Sequence, residues 1–223
     1  MTQPATKPYI GMGMEGFLAR WYAKSTQRDL DDFRRQAAEI AAQLAPRSQV
    51  LEVAPGPGYF AIELARRGDF RITGLDISHT FVEIARADAK KQSVAVDFRQ
   101  GNASAMPFEA GVFDFIFCRA AFKNFSQPVE AMNEMHRVLK PGGKAMIVDL
   151  RKDVSLEEIN AYVKSSGRNW FDSLLTRWIF RSFLIKRAYT TQNFQDMAHQ
   201  SRFGRCTIDA NSIGLNVRFE KSP

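Results

Sequence analysis

Leu30, Phe33, Ala37, Ile40 and Leu44 recur in steps of three and four, which places them on one face of a helix that Pro46 and Ser48 end. The period then shortens. Val50 to Ala54 is a brief apolar run, Pro55 to Gly58 is a Pro-Gly-Pro-Gly turn, and Tyr59 to Arg67 returns to helical spacing. The same alternation predicts a strand at Arg71 to Asp76, a helix at Thr80 to Lys91 and a strand at Val94 to Gln100. Phe113 to Cys118 is apolar almost throughout, as a strand covered on both faces should be. Ser126 or Gln127 can cap the next helix, with Pro128 in its first turn; it runs to Leu139 and is expected to stop at Pro141-Gly142-Gly143, ahead of a strand at Ala145 to Leu150.

Beyond Leu150 the rhythm changes. Ser155 to Arg187 reads as two helices with no strand between them, followed by a helix at Thr191 to Gln200 and strands at Cys206 to Asp209 and Leu215 to Phe219. Seven strands alternating mainly with helices predict an α/β fold, a mostly parallel sheet covered on both faces. Tyr9 to Lys24 holds Gly11, Gly13 and Gly16 among aromatics and is expected to be a mobile, packable arm rather than a rigid element.

Composition narrows the class without naming it. The chain has 223 residues, enough for one sizeable core, and no apolar stretch approaches the roughly 20 residues of a spanning helix. Met1 to Pro8 does not read as a secretory signal, so a cytoplasmic address is the default expectation. Cys118 and Cys206 lie far apart with no CxxC or nearby His, which argues against a disulfide framework or a metal site; both are expected to be small buried apolar residues. The formal charge is +7, and six bases (Lys164, Arg168, Arg177, Arg181, Lys186, Arg187) stand against the single acid Asp172 in one segment.

Three features carry candidate chemistry. Val50 to Gly58 puts Glu52 near the end of a strand that runs into a glycine-rich turn, where a ligand can approach the backbone closely. About 20 residues on, Asp76 stands at the tip of the next strand, where a carboxylate can accept both hydroxyls of a ribose. Asn102 and Ala103, after the third strand, can present an amide and a backbone N–H to an adenine edge.

In these residues the chain resembles the class I S-adenosylmethionine-dependent methyltransferases, in particular the small-molecule group of the ubiquinone/menaquinone-biosynthesis type. The resemblance rests on four blocks in order, VLEVAPGPGYFAIELA, TGLDIS, GNASAMPFEAGVFDF and EMHRVLKPGGKAMIVD. It implies a Rossmann-like domain with S-adenosylmethionine as cofactor, S-adenosylhomocysteine as product and no metal. It places Glu52, Ala54 and Gly56 around the methionine part, with Gly58 completing the turn. Asp76 would hold the ribose, Ile77 would pack on the adenine, Asn102 and Ala103 would read its edge, and Arg119 joins the cofactor set. The family usually has glycine where this chain has Ala54. A nicotinamide site would want G-x-G-x-x-G, whereas the turn here reads A-x-G-x-G.

The expected organisation is one methyltransferase domain over 1–223: an arm at 1–29, a cofactor-binding core at 30–150, a helical lid or substrate region at 151–200 and final strands at 201–223. In-line methyl transfer needs little beyond proximity and a dry pocket, so no universal catalytic residue is expected. Lys123 and Asn124 follow the fourth strand and can orient an acceptor, although Lys123 can equally be a solvated surface lysine. Asp149 is a candidate base or a turn cap, and Tyr9 and Tyr22 are placed to close over the cofactor. His79, His136 and His199 form no dyad.

Within Trp170 to Tyr189, Phe171, Leu174, Leu175, Trp178, Ile179, Phe183 and Ile185 make a broad apolar face beside Arg177, Arg181, Lys186 and Arg187. It suits a lid over a lipophilic or aromatic acceptor first, then a homodimer contact, then a helix lying on a membrane surface. Nucleic acid is the less favoured substrate, because Cys118-Arg119-Ala120-Ala121-Phe122 lacks the Asn/Asp-Pro-Pro-aromatic pattern of base methylation and no RNA-binding module is evident. A binding protein that kept the fold without activity is the remaining alternative.

Overall fold

A computed structural model describes residues 9–10, 13–165 and 185–223. The apolar helix face expected over Trp170 to Tyr189 lies mainly outside them, including every member from Phe171 to Phe183; within them Ile185–Arg187 is a single helical turn.

Seven strands form one sheet: β1 (Gln49–Val53), β2 (Arg71–Asp76), β3 (Val96–Gln100), β4 (Phe113–Arg119), β5 (Leu139–Leu150), β6 (Thr207–Ala210) and β7 (Gly214–Glu220). Their order is β3-β2-β1-β4-β5-β7-β6, with β7 antiparallel to both its neighbours and the other pairings parallel. The order reverses between β1 and β4, and in open α/β sheets the crevice beyond the strand ends at that point is where ligands bind.

The helices divide into two layers. On one face α2 (Leu30–Ala41), α3 (Tyr59–Ala65) and α4 (His79–Lys91) bury Ala37, Ile40, Phe60, Ile62, Leu64, Val82 and Ala85 against Val50, Phe98 and Phe117. On the other, α5 (Pro128–Val138) and α7 (Thr191–Gln200) bury Met132, Met135, Phe194 and Met197 against Leu51, Val53, Ile116 and Ile147. α6 (Leu156–Ser165) follows β5 and buries Ile159. Neighbouring residues of β1 and β4 thus serve opposite cores, the strand period of two made visible. Among the described residues no helix is long and apolar enough to cross a membrane.

Three local expectations need correction. Pro141-Gly142-Gly143 does not sit in a loop ahead of a strand; it lies inside β5, where the pairing with β4 slips from Phe113–Leu139 to Phe115–Lys144. Gly142 has φ +74 and the Lys140 carbonyl would lie 2.9 Å from a Cβ on Gly143, so the glycines make this irregularity possible. Neither Ser126 nor Gln127 caps α5 through its side chain. The arm is not irregular throughout: α1 (Gly16–Thr26) forms because Ala19 and Ala23 pack into the domain, and the Glu15 carboxylate accepts from the His79 and Thr80 N–H groups that open α4, at 2.9 and 3.0 Å. Of the cysteines, Cys118 is fully buried and Cys206 half-buried.

Gly58 caps α3 in the left-handed region (φ +79), and a Cβ there would meet the held ring of Phe98 at 2.6 Å. Gly58→Ala is therefore expected to destabilise the fold by about 3 kcal/mol, through backbone strain and overpacking together. Urea unfolding checks it; a loss below about 1 kcal/mol would contradict the packing.

Candidate active site

The turn after β1 alternates two kinds of backbone. Ala54, Gly56 and Gly58 adopt φ +54, +55 and +79, while Pro55 and Pro57 between them are held near −65° by their rings. Every N–H of the turn has a partner: Ala54 donates to the Leu75 carbonyl (2.8 Å), Gly56 to Asp76 Oδ2 (2.8 Å) and Gly58 to the Pro55 carbonyl (3.0 Å). A Cβ on Gly56 would meet nothing within 4 Å, so the space beside the turn is open and Gly56 is required for its conformation rather than for lack of room. Ala54 holds the left-handed conformation without glycine's freedom. Ala120, at the end of β4, does the same at φ +55, so both strands flanking the switch point end in a strained alanine.

Asp76 joins the parts. Its Oδ2 receives Gly56 N–H and its Oδ1 receives Ser78 N–H at 2.9 Å, while Ser78 caps α4 by accepting from Phe81 N–H and donates its hydroxyl to the Met14 carbonyl. The carboxyl is buried, and burial chiefly pushes it up to about 6 against the pull of its backbone donors. Glu52, also buried, accepts from Ala61 N–H (3.0 Å) in the first turn of α3. Burial is again the largest cause and raises it to about 8; the Ala61 N–H opposes this, Asp76 adds to it and Arg119 opposes it weakly. Two protonatable carboxyls thus lie beside one open turn.

The remaining sequence-predicted residues are held less directly. Ile77 is half-buried beside Asp76, and its carbonyl accepts from Gln100 Nε2. Asn102 spends its carbonyl oxygen on Ser104 N–H (2.9 Å), leaving the amide nitrogen as its outward-acting group, and Ala103 packs on the core. Arg119 is tied to α2 rather than to the turn: its guanidinium lies 4.3 Å from the Phe33 ring centroid and donates to Gln36 Oε1 at 3.1 Å.

Lys123 is not solvated. Its side chain is 4% exposed and its ammonium donates to Asp149 Oδ1 (2.8 Å) and to the Ala120 carbonyl (2.6 Å), while Asp149, 1% exposed, also accepts from the Lys123 and Leu150 N–H groups. Surface statistics for lysine fail here because the partner comes from the neighbouring strand end, 26 residues away. The pair locks the loop after β4 onto the end of β5, and Phe122 in that loop packs against Phe125, Tyr189 and Phe194. Asn124 lies in the same loop, and its carbonyl accepts from Ile10 N–H (2.8 Å) beside a bridge between Tyr9 and Phe125. Tyr22, 37% exposed, stands edge-on to Phe81, the two ring centroids 5.9 Å apart. The arm therefore reaches both sides of the open turn, at Asn124 and at Ser78.

One functional pair escaped the residue-level reading. Glu134 and Arg137 clamp the loop after β3: Glu134 Oε2 accepts from Met106 N–H, and Arg137 donates to the Met106 and Phe108 carbonyls. Their i,i+3 spacing within EMHRVLKPGG was the available signal.

Two outcomes test this geometry. Folded Glu52 keeps its proton up to about 8, whereas the unfolded side chain loses it near 4.5, so between these values the folded state binds the extra proton and stability falls as pH rises. Glu52→Gln should flatten that fall, by at most about 1.4 kcal/mol per pH unit, in unfolding curves from pH 5 to 8. Lys123→Met strands a buried carboxylate and should cost about 3–5 kcal/mol, and the double change with Asp149→Asn should recover most of it. Equal losses in the single and double variants would exclude the ion pair as the cause.

Residues 51–147 match the family profile described as a methyltransferase domain. A demethylmenaquinone methyltransferase from Deinococcus radiodurans is 36% identical over 118 residues, which cover 52% of this chain and 48% of that protein. The chain thus matches about half the length of that relative. Among solved structures, a proposed S-adenosyl-L-methionine-dependent methyltransferase from Methanococcus maripaludis superposes with a TM-score of 0.73 at 19% identity, covering 100% of this chain and 98% of that one. The [4+2]-cyclase SpnF shares the fold with a TM-score of 0.57 at 20% identity, covering 85% of this chain and 80% of its own. Four sequence blocks, a matching profile and the same sheet converge: residues 51–147 are similar to a methyltransferase domain, and the fold is the one seen in solved structures of proteins described as such enzymes.

Proposed function

We propose that this chain transfers a methyl group from S-adenosylmethionine to a small lipophilic or aromatic acceptor. The observation that carries the proposal is the bond between Gly56 N–H and Asp76, which sets a ribose-binding acid beside an open glycine turn at the switch point of the sheet. The residues present fit the cofactor: the turn leaves space for the methionine part beside Glu52, Ala54 and Gly56, with Gly58 closing it. Asp76 keeps further lone pairs for the ribose, Ile77 offers an apolar side to the adenine, and Asn102 with Ala103 offers the edge contacts. Arg119 acts at a distance, holding α2 against the site and weakly favouring the ionised form of Glu52.

When bound, S-adenosylmethionine supplies a methyl group on a positively charged sulfur. That charge would favour the ionised forms of Glu52 and Asp76, opposing the burial that raises their carboxyls to about 8 and about 6. Lys123 and Asp149 position the loop after β4, and with Asn124 and Tyr22 they are the polar groups this reading assigns to the acceptor side. A relative named for demethylmenaquinone supports an apolar ring as acceptor. Proximity and exclusion of water then do most of the work. In this reading 1–223 is one domain, with 30–150 holding the cofactor, 151–200 shaping the acceptor side and 201–223 completing the sheet. The cyclase of like fold keeps a second reading in view, a cofactor-fold protein with other chemistry.

Calorimetric titration with S-adenosylmethionine, S-adenosylhomocysteine and NAD should show binding of the first two alone. Asp76→Asn, titrated below its unfolding midpoint, should weaken both by at least about tenfold, roughly 1.4 kcal/mol, and should also lower that midpoint, because only one oxygen remains to accept from Gly56 and Ser78. Unchanged affinity would remove Asp76 from the site, and cofactor binding without methyl transfer to any hydroquinone or phenol would favour the second reading.

A further inference from the structure

Helix α1 turns its small residues inward and its aromatics outward. Ala19 and Ala23 are buried, whereas Phe17 and Trp21, one helical turn apart, are 81% and 55% exposed. Arg20 and Lys24 stand three and seven residues after Phe17, on the same stripe; both are exposed, and among the described residues neither joins an ion pair. No acid falls between Gly16 and Thr26. Ile10, on the same arm, is 47% exposed.

We propose that the stripe Phe17, Arg20, Trp21 and Lys24 docks the protein on an anionic lipid surface, its two rings entering the boundary between headgroups and acyl chains and its two bases meeting lipid phosphates. Aromatic rings flanked by Lys and Arg are the side chains that settle at that boundary, and each base near an anionic surface adds to the attraction. The net charge of +7 acts in the same direction. A second copy of the chain is a poorer occupant: even fully covered, Phe17 and Trp21 bury roughly 400 Å², about half of what each partner contributes to a standard stable interface. A bilayer needs no such area from one contiguous patch, since a few rings plus two charges give reversible attachment.

The position of the stripe adds a consequence. The same arm is bonded at Met14 to Ser78 and at Ile10 to Asn124, the two sides of the open turn, and Tyr22 follows Trp21 directly. Docking through α1 therefore brings the mouth of the site to the lipid, where an apolar acceptor would be dissolved. That consequence rests on the methyl-transfer proposal; the docking does not.

The test is co-sedimentation of the full chain with phosphatidylcholine vesicles, with and without phosphatidylglycerol, at low and high salt. Wild type should sediment with the anionic vesicles and be released by salt. Phe17→Ala with Trp21→Ala should weaken binding at least about tenfold, and Arg20→Gln with Lys24→Gln about thirtyfold on anionic vesicles alone. All four side chains are exposed, so both variants should keep the wild-type unfolding midpoint and S-adenosylhomocysteine affinity, which separates failure of docking from failure of the cofactor site. Absence of wild-type sedimentation with anionic vesicles overturns the proposal, as does sedimentation that neither variant reduces. A dimer in light scattering that the aromatic variant abolishes, without vesicle binding, assigns the stripe to a second copy instead.

Discussion

The carboxylate of Asp76 is the point on which the candidate site depends. One oxygen fixes Gly56 and with it the turn after β1, and the other fixes Ser78, which in turn caps α4 and anchors the arm at Met14. Three segments distant in sequence are thereby held to one strand tip. The arrangement is economical because an acid accepts at both oxygens and each oxygen retains a lone pair for a further donor. It is also costly, since the carboxyl is buried, and burial pushes it up to about 6 in spite of its backbone N–H donors, which only partly replace the water it has lost.

The same tension recurs along the carboxyl edge of the sheet. Glu52 is buried against the first turn of α3, and Lys123 and Asp149 are buried against each other. Buried charges rarely stabilise a fold beyond what apolar side chains of the same volume would. Their concentration at one edge, together with left-handed alanines at the ends of both β1 and β4, marks the part of the molecule where local stability has yielded to geometry. Away from that edge the two helix layers are built almost wholly from Ala, Ile, Leu, Met, Val and Phe.

The clamp made by Glu134 and Arg137 gives a physical meaning to a block that resemblance alone only identified. EMHRVLKPGG supplies the face of α5 that packs on the sheet, the two side chains that hold the loop after β3, and the glycines that let β5 change register against β4. Part of what this block does is therefore scaffold, and it reaches Asn102 and Ala103, proposed to contact the cofactor, only through the loop it holds.

Most elements were legible in the sequence because each depends on a local period. The strand at Arg71 to Asp76 and the helix at Thr191 to Gln200 fall where apolar spacing puts them, and the glycine turn and the strand-tip acid mark themselves by residue type. What the sequence could not show were relations between segments. β7 enters between β5 and β6 in reverse, and nothing in its own alternation states its neighbours. Three glycines near α1 argue against a helix, and only burial of Ala19 and Ala23, with Glu15 reaching across to α4, overrides them. Lys123 could orient an acceptor or be solvated by its sequence alone, until folding brings Asp149 to it, and nothing local to Arg119 announces that Phe33 and Gln36 of α2 hold its guanidinium. Periodicity and residue type determined the elements and the chemistry available, because both act over a few residues; the tertiary structure decided which charges are paired and which faces are left open, because those depend on distances that close only when the chain is folded.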